Sequence, residues 1–295
     1  MSSCWTLFGY PNDVWETSLF ILFAVTAALA FAPAMWFVRV MEDFIAAVLV
    51  PPLCVILCYE YFILALGDTI STDNPAVQVA KTTHALVVPL FLASLFEMAY
   101  DVHKKRSVKF FCIVFDQGHR IDTEPCSWLA RNFVRLLSLA LTVLGILVYY
   151  GVIGCDVQSG TTGFIGVDSA SSLQVVLALV PTTVMAVVAL FISVYMWKYG
   201  NEASIVVNAT WFNRWGMLCF GVLTMLASAM VPECCHRIFK AASRLLLLIS
   251  MMVTFTAIKD EFAAVDHFNK WLETNQDETG RGDSSSETPM PVSLP

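Results

Sequence analysis

The chain has 295 residues, of which 57% are hydrophobic and only 14% charged. Soluble domains run at about 45–50% apolar and about 25% charged. The composition therefore excludes an ordinary soluble globule, a disordered chain and a nucleic-acid-binding protein, and it points to a membrane protein. The formal charge of −7 matters less in such a chain than how Lys and Arg divide between the loops.

Seven stretches are long and apolar enough to cross a bilayer: Val14–Val38, Phe44–Leu66, Ala80–Val102, Leu129–Ile153, Ser171–Trp197, Phe212–Val231 and Lys240–Ile258. The expected fold is an all-α membrane protein, a seven-transmembrane helix bundle. Residues 1–13 form a short N-terminal segment and residues 14–258 the membrane domain. Residues 259–272 form an amphipathic helix, and residues 273–295 a disordered acidic tail. No Lys or Arg occurs in Met1–Glu16, so the first stretch reads as a retained span and not as a signal peptide.

The positive-inside rule sets the expected orientation. With seven spans, Lys81, Arg237, Lys240 and Arg244 fall on the side of the N-terminus, and the other 13 of the 17 basic residues fall on the opposite side. The N-terminus is expected outside and the C-terminus in the cytosol. Asn208-Ala209-Thr210, the one glycosylation sequon, then lies in the cytosol and should be unmodified.

In span one, Ala24, Ala28 and Ala32 recur every four residues and predict a small-residue packing face. Pro33, Pro51, Pro52, Pro89 and Pro181 fall inside spans, where each removes a backbone donor and favours a kink. A charge within a span is costly and is the first place to look for function. Glu60, His84 and Arg244 lie at similar depth in the outer third of spans two, three and seven. They are expected to share an outward-facing polar pocket, in which a ligand or ion competes for the ion pair; a structural tie between helices is the alternative.

Near the cytosolic face, Glu97 and Asp101 are one turn apart on span three, and Arg131 and Arg135 begin span four. Together they predict an inner latch or clamp. The loop between these spans carries Lys104, Lys105, Arg106 and Lys109 beside the apolar run Val108–Phe115. It suits contact with anionic lipid or a cytosolic protein. Cys4, Cys155, Cys234 and Cys235 fall on the outer side, where disulfides are permitted. Adjacent Cys234 and Cys235 cannot easily face one ion, so no metal and no cofactor are expected.

Hallmarks of familiar seven-span families do not occur. There is no cysteine between Asn74 and Pro89, and Tyr100-Asp101-Val102-His103 stands where rhodopsin-type receptors carry Asp-Arg-Tyr. Lys240 and Lys259 lie at the two ends of span seven, away from the middle position retinal needs. No acid–base or nucleophile constellation marks an enzyme, and no catalytic residue is assigned. The leading expectation is a receptor-like protein that senses an outer-face ligand and signals through the basic loop. A transporter or channel is the alternative, and a membrane scaffold or accessory protein the third. Plasma and internal membranes fit equally well.

Overall fold

A computed structural model describes residues 12–41, 44–66, 69–70, 74–106, 124–158, 161–166, 184, 186–194, 196–197, 214–228 and 237–260. Its elements in chain order are α1 (Asn12–Val40), α2 (Ile45–Leu66), α3 (Pro75–Arg106), α4 (Glu124–Val152), β1 (Ile153–Gln158) and β2 (Thr161–Gly166). A helical segment follows at 184–197 (α5, with 185 and 195 outside the description). Two further helices follow among the described residues, α6 (Arg214–Ser228) and α7 (Arg237–Asp260).

Four of these helices are long and apolar enough to cross a membrane: Trp15–Val40, Ile45–Leu66, Pro75–Asp101 and Arg237–Asp260. They coincide with expected spans one, two, three and seven. The protein is therefore membrane-embedded. Helix α6 is shorter, with an apolar stretch of Gly216–Ser228; at 1.5 Å per residue its 15 residues reach about 22 Å, less than a hydrocarbon core of about 30 Å.

Local sequence explains where these helices begin and how they continue. Asn74 caps α3: its Oδ1 accepts the N–H of Ala76 at 2.9 Å. Pro75 then occupies the first helical position, where its missing donor costs nothing. Helix α3 thus starts five residues before the apolar run that marks it in the sequence. A tight link joins α1 to α2, with Met41 N donating to Phe37 O at 2.8 Å and Phe44 N to Met41 O at 2.9 Å. Helix α1 continues through Pro33, α2 through Pro51 and Pro52, and α3 through Pro89. Pro181 lies outside the described residues.

Hydroxyls inside the apolar helices are satisfied locally. Thr26, Thr82, Ser250 and Thr254 each donate to the carbonyl four residues back, at 2.7–3.0 Å. This keeps them from exposing an unmet donor to hydrocarbon.

Helix α7 is the hub. Of its most apolar window 72% is buried, against 28% for α1, 56% for α2 and 61% for α3. Phe37 of α1 stacks obliquely on Phe255 of α7 with ring centres 5.6 Å apart. The Lys259 ammonium sits 4.3 Å above the Trp36 ring, a cation–π contact. Tyr61 of α2 donates to the carbonyl of Ala241 at 2.8 Å. Helix α6 crosses α7 closely at Gly221. A Cβ there would meet Ser250 Oγ at 2.7 Å and the Leu247 backbone at 3.1 Å, so only glycine permits this approach.

The outward faces are apolar too. Ile21, Leu22, Val25, Leu29 and Met35 of α1 are exposed, as are Leu129, Phe133, Leu136, Leu139, Val143 and Leu147 of α4. Helices apolar on both inner and outer faces suit a lipid surround.

Two expectations are corrected. The small-residue face of α1 is not Ala24, Ala28 and Ala32, because Ala28 and Ala32 are exposed. Phe20, Ala24, Ala27, Ala30, Ala34 and Phe37 are the buried set. A strict four-residue step advances about 40° per repeat on a 3.6-residue helix and drifts off the interface, whereas a mixture of three- and four-residue steps holds it. The segment expected as a loop after span four also contains structure. Beside the helices, β1 and β2 form one antiparallel hairpin, with Ile153 opposite Gly166 and Gln158 opposite Thr161. This register leaves two residues, Ser159 and Gly160, between the strands, a spacing typical of tight hairpins. Strand β2 lies against α2.

Candidate functional site

Glu60, His84 and Arg244 come from three helices and meet in the interior. Glu60 stands near the C-terminal end of α2, and His84 and Arg244 near the N-terminal ends of α3 and α7. The antiparallel run of α2 against the other two brings them to one level. All three are buried, at 2%, 6% and 3% exposure.

The contacts are direct. His84 Nδ1 lies 2.5 Å from Glu60 Oε1. Arg244 Nη1 donates to the same oxygen at 3.0 Å. Arg244 Nη1 and Nη2 also lie 3.1 Å and 3.3 Å from Nδ1 and Nε2 of His84. A neutral imidazole protonated on Nδ1 donates to Glu60 and keeps its Nε2 lone pair for Arg244 Nη2; the approach of Arg244 Nη1 to Nδ1 is then a contact between two donors that share the Glu60 oxygen. Glu60 Oε2 has no hydrogen-bond partner among the described residues. One helical turn before Arg244, Lys240 adds a further positive charge felt by both Glu60 and Arg244.

Packing holds this cluster in place. The side chain after Glu60, Tyr61, is fully buried and hydrogen-bonded to α7. It also meets Phe23 of α1 edge-on, with ring centres 5.9 Å apart. Tyr59 donates to Ala76 O at 2.8 Å and ties the end of α2 to the start of α3. An ion pair in low dielectric is strong only with such fixed geometry.

A second ionic group lies at the opposite end of α3. Glu97, 2% exposed, takes both arginines of α4. Arg131 Nη2 is 2.7 Å from Glu97 Oε2, and Arg135 Nε donates to Glu97 Oε1 at 2.5 Å. The Arg131 guanidinium also lies 4.4 Å from the Tyr100 ring centre. Asp101 sits differently from the expectation that pairs it with these arginines. Its carboxylate lies by the backbone N–H groups of Ile45 and Ala46 at the start of α2, and Arg131 acts on it through space. It thereby brings a negative charge from a neighbouring helix to the first turn of α2, where such a charge is favourable.

Sequence reasoning missed one contributor to the cluster and one buried cation near it in sequence. Lys81 is buried at 6% exposure, although it reads as a loop-edge cation. Lys240 reads as a span boundary but stands beside the Glu60 cluster. Their signal was available: Lys81 is three residues from His84 and Lys240 four from Arg244, one turn along the same helices.

Cys4, Cys234 and Cys235 lie outside the described residues, and Cys155 stands in β1 opposite Phe164. Cys54, Cys58 and Cys219 are free thiols within the helices. The basic loop 107–123, Asn208 and the tail beyond Asp260 also lie outside the described residues. Among the described residues no group of three His, Cys, Asp or Glu side chains is placed to hold a metal ion. Protein-family models give no match to this chain, and neither do curated proteins.

Proposed function

We propose that this protein is a seven-span, receptor-like membrane protein, N-terminus outside and C-terminus cytosolic. It senses an outer-face ligand through Glu60, His84 and Arg244 and signals through the basic loop between spans three and four. The observation that carries this proposal is the buried contact of Glu60 with both His84 and Arg244, which joins α2, α3 and α7 at one point. A ligand that competes for Arg244 would release three helices at once. At the other end of the same α3, Glu97 joins α4, about 20 Å away at 1.5 Å per residue. Helix α3 is then a rigid element between two ionic ties, and the basic loop follows directly from its C-terminal end. A switch requires two states that a ligand binds unequally, and ion pairs that break or form supply that difference.

One observation favours the alternative, a transporter or channel: Glu60 Oε2 is buried without a hydrogen-bond partner among the described residues. A bare carboxylate oxygen at membrane depth suits a proton or a transported ion. Reconstitution in liposomes separates the two. Ion flux or solute uptake that Glu60→Gln alters would establish transport. A receptor shows neither, and it loses partner recruitment when residues 107–123 are replaced by a neutral linker while the helices stay folded. Recruitment that survives the replacement contradicts the receptor.

A further inference from the structure

The few basic side chains at the end of the bundle that holds Glu60 are gathered on two helices. On α7, Arg237, Lys240 and Arg244 recur at steps of three and four residues, so all three fall on one face of its first two turns. That face looks toward α2 and α3, since Arg244 reaches Glu60 and His84. On α3, Lys81 and His84 are one turn apart, and both are buried. These four Lys and Arg residues are the very ones that the sequence assigns to the side of the N-terminus. Glu60 stands against them in the interior.

We infer that the ligand of this site is an anion, a phosphate or carboxylate group that docks against Lys240 and Arg244 and takes the place of the Glu60 carboxylate. The inference rests on the outer-ligand proposal above and names its chemical class. Glu60 already supplies the geometry: one carboxylate oxygen receives the Arg244 guanidinium at 3.0 Å and shares the field of Lys240. An external oxyanion offers the same acceptor to the same donors, and charge-assisted hydrogen bonds of this type are the strong ones. Lys240 is half-buried, and it lies closer to the start of α7 than Arg244 does. It marks the route by which an anion enters. Glu60 is thus an internal competitor. Removing its charge must tighten anion binding, whereas in a purely structural ion pair it only loosens the fold.

The test uses the full chain in nanodiscs of neutral phosphatidylcholine, titrated with inorganic phosphate against sodium chloride at matched ionic strength. A second set of discs contains phosphatidylglycerol. Stabilisation is read as a rise in unfolding temperature. A rise with phosphate in neutral discs identifies a free anion, and a rise only with phosphatidylglycerol identifies a lipid headgroup. Either supports the inference if Lys240→Gln weakens the apparent affinity about tenfold, about 1.4 kcal/mol, and Glu60→Gln strengthens it. Lys240→Gln leaves the Glu60–Arg244 contact intact, so it carries the test even where Glu60→Gln folds poorly. Lys259→Gln, at the opposite end of α7, serves as the control. The inference is overturned if neither anion stabilises the protein, or if Lys259→Gln weakens binding as much as Lys240→Gln. Binding with the expected variant pattern but no effect on partner recruitment would overturn the receptor proposal and leave the anion site standing.

Discussion

At the residue scale, the Glu60 cluster is a case where three polar side chains are tolerable together and costly apart. Truncating one member of a buried ion pair strands the other and costs about 3–5 kcal/mol. Arg244→Met is therefore expected to lower the unfolding temperature steeply, because Glu60 is left in an apolar interior. The double variant Arg244→Met with Glu60→Leu should recover much of that loss, since neither charge remains. Thermal unfolding of the three variants in nanodiscs measures the coupling. If the double variant is as unstable as the sum of the singles, the pair is not the tie described. Gly221 is the second sensitive residue. Gly221→Val places a methyl group within the space of Ser250 Oγ and should cost about 1–3 kcal/mol by overpacking. An unchanged unfolding temperature would mean that α6 and α7 stand further apart.

At the element scale, much was legible in the sequence and some was not, for identifiable reasons. The depths of Glu60, His84 and Arg244 along their spans follow from counting residues. That α2, α3 and α7 adjoin does not, because any apolar helix can pack on any other. Asp101 shows the same limit: its spacing from Glu97 suggests a shared face toward α4, but its partner is the start of α2, which only the fold brings near. The hairpin Ile153–Gly166 was hidden by its glycines and by the apolar run of α4 that leads into it. The start of α3 was readable, since Asn74-Pro75 is a cap followed by a first-turn proline; the apolar run alone begins later. Asn74→Ala should cost about 1 kcal/mol and raise hydrogen exchange at the first turn of α3 alone. Exchange that rises along the whole helix would show that the cap does more than seal its end.

At the scale of the whole molecule, four helices fit a membrane, and their outward faces are as apolar as their contacts. The proposed seven spans, outside N-terminus and cytosolic C-terminus remain a statement about how basic residues divide. It predicts that Asn208 carries no glycan in cells that glycosylate their membrane proteins, and that an epitope after Pro295 is reached only in permeabilised cells. A glycan on Asn208 would reverse the orientation. The two ionic ties give the molecule its proposed working parts: one gathers α2, α3 and α7, and the other clamps α3 to α4.

The central claim is that these two ties are coupled through α3, so that loosening the first moves the second. Spin labels introduced through an unnatural amino acid at Val40 and Phe133 report on this directly. Both side chains are exposed, and both lie near the Glu97 end of the bundle. Pulsed electron resonance then gives their separation in the wild-type chain and in Glu60→Gln. Coupled ties predict a shift of a few ångströms or a second distance population in the variant, the scale of helix movement in known switches. An identical distance distribution, in a Glu60→Gln protein that is folded, would contradict the account and leave both clusters as static clamps.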